Sequence, residues 1–270
     1  MLKKRIITAV IAIPIALILI LYVPSTYFAA LAGLLILGGA WEWSNFVGLE
    51  KNTARIIYVA CVLIGLLLAA FLPIAWVLMI AWLVWCWIAV AIYRYQNNTA
   101  TTGLQCVHAR ALSGFIILIA TWVSIVTLQT QMQWQSPYSL IYLLCIVWAA
   151  DVGAYFSGKY YGQSPLATRV SPKKTWAGFW GGLIAAMLIA AIGGIFLTHH
   201  FLSYIALMFL SLITILFSVI GDLGVSLFKR IRDVKDSGNF FPGHGGILDR
   251  IDSIAAASVV FVLGITFIPL

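Results

Sequence analysis

Apolar residues follow one another along this chain in runs of roughly 17 to 21, about what a helix needs to cross a hydrocarbon layer ~30 Å thick. Nine runs predict nine helices, over 6–23, 27–47, 56–72, 74–93, 111–128, 139–158, 178–197, 201–220 and 253–269. The first follows Lys3, Lys4 and Arg5 and looks like a signal peptide. No small-residue cleavage site comes after it, so it reads as a retained helix. Polar residues gather in two long segments, 159–177 and 221–252. Within the second, Leu223, Leu227, Ile231 and Val234 recur at steps of four, four and three, while Lys229, Arg230, Arg232, Asp233 and Lys235 fall elsewhere around the turn. That pattern predicts a short helix lying at a membrane surface. The whole chain, 1–270, reads as one all-α integral membrane bundle of about nine transmembrane helices, with no separate soluble domain.

Composition agrees, and charge adds an orientation. Hydrophobic residues make up 63% of the chain and charged residues 9%, outside the range of soluble domains. All sixteen Lys and Arg fall on alternate connections: the N-terminus, Lys51 to Arg55, Arg94 to Arg110, Lys159 to Lys174, and 229–250. The other connections, around Pro24, Pro73, Gln129 to Pro137 and His199-His200, carry no formal charge. The positive-inside rule then predicts a cytoplasmic N-terminus and an external C-terminus. A net charge of +8 would suit nucleic acid in a soluble protein, but in a multispan chain it marks loops facing anionic lipid. Membrane lipid, and not nucleic acid, is the expected partner. Cys61, Cys86, Cys106 and Cys145 are scattered without CxxC or Cys/His spacing, which argues against disulfides and zinc.

Three carboxylates, Glu42, Asp151 and Asp222, sit in or at the end of apolar runs, where a charge needs a cavity, a cation or a partner. In the predicted topology all three face the cytoplasmic side, which a polar cavity open to that side would explain. For Glu42 and Asp151, pairing with a nearby Arg or Lys to hold helices together is the competing account. Residues 222–252 hold five of the eight acidic and five of the sixteen basic residues, a mixture suited to metal ions and phosphates. Ser171-Pro172-Lys173-Lys174-Thr175, just ahead of a predicted helix, offers two hydroxyls and two ammonium groups to one anion. A positive-inside anchor would explain the lysines alone. In Pro242-Gly243-His244-Gly245-Gly246 the glycines free the backbone to turn amides toward an anion. Asp249 and Asp252, at i and i+3, share a helix face and with Asp222 are candidate oxygen ligands for Mg²⁺. Helix capping is the alternative for Asp249. His244 is a candidate base, ligand or phosphate donor.

These residues resemble a known signature. Ser226, Lys229-Arg230, Lys235-Asp236, Gly238, Phe241-Pro242-Gly243-His244-Gly245-Gly246, Asp249-Arg250 and Asp252, spread over 27 positions, look like that of the phosphatidate cytidylyltransferase (CDP-diacylglycerol synthase) family. The likeness extends to Trp41-Glu42-Trp43, to Asp151 through Lys159 and to Ser171 through Trp176. It departs at Ala177, where the family usually shows Glu. The resemblance implies an integral membrane enzyme, Mg²⁺-dependent and homodimeric, that joins CTP and phosphatidic acid into CDP-diacylglycerol and pyrophosphate; the lack of an organellar targeting segment and the compact nine-span plan favour a bacterial inner membrane. It implies Mg²⁺ on Asp222 and Asp249, with a second cation such as K⁺ as a further expectation. Expected catalytic residues are Asp222, Lys229, Arg230, Lys235, Asp236, His244, Asp249, Arg250 and Asp252. Expected phosphate-binding residues are Asp151, Ser171, Lys173, Lys174, Thr175, Gly243, Gly245 and Gly246. Residues 1–110 then serve mostly as scaffold, 139–252 as the catalytic part and 253–270 as a closing helix. A secondary transporter is the rival from another class, but it needs access from both sides, and the polar residues here cluster on one.

Overall fold

The computed structural model describes residues 13–97, 102–131, 135–238 and 245–268. Its helices, in chain order, are α1 (Ile13–Tyr22), α2 (Ser25–Val47), α3 (Asn52–Ala69), α4 (Ile74–Gln96) and α5 (Val107–Thr130). They continue with α6 (Tyr138–Tyr161), α7 (Trp176–Leu197), α8 (Phe201–Ile231) and α9 (Leu248–Ile265). Every predicted run coincides with one of them, although positions 6–12 and 269 lie outside the described residues. Six, α3 through α8, are long and apolar enough to cross a membrane, which makes this a multi-pass membrane protein.

Helix α9 occupies the middle of the bundle, touching α2, α4, α5, α6 and α8. Its run from Ala255 to Val262 is buried on every side. Small residues make that possible: Ala255, Ala256, Ala257 and Ser258 let neighbouring backbones come close. Where α8 meets α9, a Cβ on Gly221 would overlap the Asp252 carbonyl oxygen, so the spacing of this pair depends on a missing methyl group. Between α6 and α7 the seam also depends on glycine. A Cβ on Gly182 would lie 2.6 Å from the Ala150 carbonyl oxygen, and one on Gly153 would lie 2.7 Å from that of Gly181.

Two expectations change. The predicted surface helix around 223–234 is not a separate element, because those residues extend α8 without a break to Ile231. The helix ends when Asp233 turns left-handed at φ 51°. There the Val234 N–H donates to the Lys229 carbonyl at 2.9 Å and the Asp233 N–H to that of Arg230 at 3.2 Å, the two bonds of a Schellman stop. The segment 159–177 contains an unforeseen antiparallel hairpin, β1 (Pro165–Ala167) and β2 (Ser171–Thr175), with Pro165 opposite Thr175 and Ala167 opposite Ser171. Its tip is pinned on both sides. Arg230 Nε donates to the Val170 carbonyl at 3.0 Å, and Gln96 Nε2 reaches Thr168 Oγ1 at 2.6 Å.

Candidate active site

Helices α6, α7 and α8 and the hairpin enclose a cavity of about 520 Å³. Its polar wall carries Asp151, Lys159, Lys173, Lys174 and Asp222; Leu166, Phe179, Leu183 and Ile215 line the rest. The hairpin is what brings the two β2 lysines over the helices. Lys174 forms an ion pair with Asp222, and Asp151 and Asp252 lie near enough for their charges to act on the same two groups. Ser171 starts β2, while the Thr175 hydroxyl accepts the Gly178 N–H at 3.1 Å and caps α7. That bond gives Thr175 a local task beside the anion contact expected of it.

A second network lies where α8, α9 and the cytoplasm-predicted end of α2 converge. Lys229 Nζ pairs with Asp249 Oδ1 at 2.8 Å. Both side chains are 16% exposed, against 26% and 31% for Lys174 and Asp222, so water screens this second pair less. Asp249 Oδ2 accepts three more bonds, from Gly246 N at 3.0 Å, Ser237 N at 3.2 Å and Ser237 Oγ at 2.9 Å. Gly245 takes φ +81°, a left-handed turn that only glycine adopts at no cost, immediately before the amide aimed at Asp249. Of the glycine-loop amides expected to face a phosphate, that of Gly246 faces Asp249 of the chain itself, and the two amides that follow, Ile247 N and Leu248 N, go to Glu42 at 2.9 Å each.

Aromatic packing fixes α2 against α8 here. Trp43 lies 4.9 Å from Phe228, centroid to centroid, and its indole N–H donates to the Arg110 carbonyl at 2.9 Å. Asn45 Nδ2 donates to the Ser237 carbonyl at 3.1 Å. Lys235, Asp236 and Arg250 are exposed around this network. His244 and Gly243 lie outside the described residues. Sequence reasoning missed Ser237 and Asn45 and left Glu42 open between two accounts. The flanking Gly238 and Gly246 were the available signal, since a Cβ on Gly238 would come within 2.6 Å of Glu42 Oε1 and one on Gly246 would overlap Oε2.

Among the described residues no group of three or more His, Cys, Asp or Glu side chains is arranged to hold a metal ion. Mg²⁺ asks for less, one or two carboxylates completed by phosphate oxygens and water. Asp222, a hard oxygen donor on the cavity wall, fits that role. Asp249 has both oxygens engaged, Oδ1 by Lys229 and Oδ2 by three donors, so it would serve as a second ligand only with Lys229 shifted onto a phosphate.

Comparison with known proteins adds a third line of observation. Residues 3–268 match the model of the Cytidylyltransferase family. A phosphatidate cytidylyltransferase of Pseudomonas aeruginosa is 38% identical over 264 residues, covering 97% of this chain and 96% of the relative. One of Haemophilus influenzae is 33% identical, with 97% of each chain covered. One of Bacillus subtilis is 40% identical over 145 residues, about half of each chain.

Proposed function

This chain belongs to the cytidylyltransferase family, and from that membership we propose that it transfers the cytidylyl group of CTP to phosphatidic acid, giving CDP-diacylglycerol and pyrophosphate. The observation that carries the reading is the cavity, which sets three lysines and two carboxylates against an apolar wall within a membrane bundle. A phosphate head group enters such a space while its acyl chains stay in lipid.

The chemistry needs little proton transfer. A phosphate oxygen of phosphatidic acid forms a bond to the α-phosphorus of CTP, and the bond from that phosphorus to the bridging oxygen of the β-phosphate breaks. Phosphomonoesters have a second pKa of about 6, so the nucleophile is already anionic near neutral pH. The obstacle is repulsion between two polyanions, which calls for fixed positive charge and alignment rather than a base. Lys173, Lys174 and Lys159 supply charge inside the cavity and Lys229 supplies it at the end of α8. Arg230 has its Nε on the hairpin backbone, so it acts at least in part by holding β2, and with it both lysines, in place. Asp151 and Asp252 orient the ammonium of Lys174 together with Asp222. Mg²⁺, held by Asp222 and Asp249, would neutralise phosphate charge. The enzyme works in the bacterial inner membrane as a homodimer, N-terminus and cavity toward the cytoplasm, consistent with the one-sided placement of Lys and Arg.

The test is release of pyrophosphate from CTP by purified protein, with and without phosphatidic acid and Mg²⁺. Release is expected only with all three present. Lys174→Gln should lower turnover on the order of 100-fold, as loss of a charge aimed at the transition state does. Wild-type turnover in that variant would remove the cavity from the reaction.

A further inference from the structure

Glu42 is 4% exposed, and no Lys or Arg among the described residues forms an ion pair with it. Its partners are the Ile247 and Leu248 amides at 2.9 Å and the Ser237 hydroxyl at 3.1 Å. The start of α9 has no side-chain cap of its own, so a carboxylate 205 residues away supplies it. Ser237 Oγ lies 3.1 Å from Glu42 Oε2 and 2.9 Å from Asp249 Oδ2. One hydroxyl holds one proton and can donate to one carboxylate at a time. The two acids are thereby joined through a single group, and Asp249 in turn grips Lys229.

We propose that Glu42 is a positioning residue for cytidylyl transfer: through Ser237 and the first amides of α9 it fixes where Asp249 holds Lys229. This rests on the function proposed above. A cap needed only for stability would not have to share its donor with a carboxylate at the site. Nor would it require glycine on both flanks, as positions 238 and 246 do.

Glu42→Gln keeps the volume but turns an NH₂ group toward one of its donors. Ser237→Ala removes the shared hydroxyl and leaves both Glu42-to-amide bonds in place. Each variant should lower kcat per folded molecule on the order of ten-fold, the lower end for loss of a group that orients a site residue, with KM for CTP unchanged and the enzyme still folded at the assay temperature even where loss of the cap lowers its melting temperature. The double variant should be no slower than the slower single one, because both act through the same Asp249 oxygen. Wild-type kcat in Ser237→Ala overturns the proposal. So does a loss in Glu42→Gln that merely tracks the fraction of folded protein. If Glu42→Gln does not fold, Ser237→Ala decides alone. A wild-type protein that makes no CDP-diacylglycerol overturns the proposed function instead, and that arm is measured first.

Discussion

Asp233 holds a left-handed backbone, φ 51°, at the end of α8. An L-residue there carries a cost of roughly 1–2 kcal/mol that glycine avoids, although Asp bears it better than most. Asp233→Gly should therefore raise the thermal midpoint in detergent and Asp233→Val should lower it, each by about 1 kcal/mol of stability. Equal midpoints for the two variants would contradict the turn described. Cys106, just ahead of α5, has its thiol pulled down to about 7 by the Ala109 backbone N–H, with help from His108. Below that pH the thiol is protonated and slow; above it the thiolate reacts. Maleimide labelling at Cys106 should rise with pH and reach half its plateau rate near pH 7, and Cys106→Ser should remove that component.

Among elements, the α8–α9 crossing is the most exacting, because it sets Asp222 and Lys229 on one helix against Asp249 and Asp252 on the other. Gly221→Ala puts a methyl group into the Asp252 carbonyl and must push the helices apart. Turnover should fall by more than an order of magnitude while the protein still inserts, and unchanged turnover would refute the close crossing. The extent of apolar runs was enough to locate every helix, since a spanning helix is written in length alone. The end of α8 was misjudged because the apolar run gives way to charge at Asp222, yet the helix runs on through Gly221 and Gly224, where neighbours need the space a Cβ would fill. The hairpin escaped notice because strands of three and five residues around Pro165 and Pro172 leave no alternating pattern to read. Within the site, Asp151, Lys173, Lys174 and Asp222 were legible as charges out of place. Ser237 was not, since its importance comes from Glu42, 195 residues earlier.

For the molecule as a whole, the one-sided distribution of Lys and Arg makes a topological prediction. A membrane-impermeant maleimide should leave Cys106 unmodified in intact cells and label it in inverted membrane vesicles. Labelling in intact cells would reverse the orientation. The N-terminal part of the chain also reaches the second network. Glu42, Trp43 and Asn45 of α2 touch the loop and helices that carry Lys229 and Asp249.

The placement of α9 has a consequence for biosynthesis. The last described helix in the sequence is the central one in space, and it delivers Asp249 and Asp252 together with the backbone donors that Glu42 awaits. Until α9 is made, the helices before it would stand in the bilayer around a gap, and on the function proposed above the new protein would stay silent.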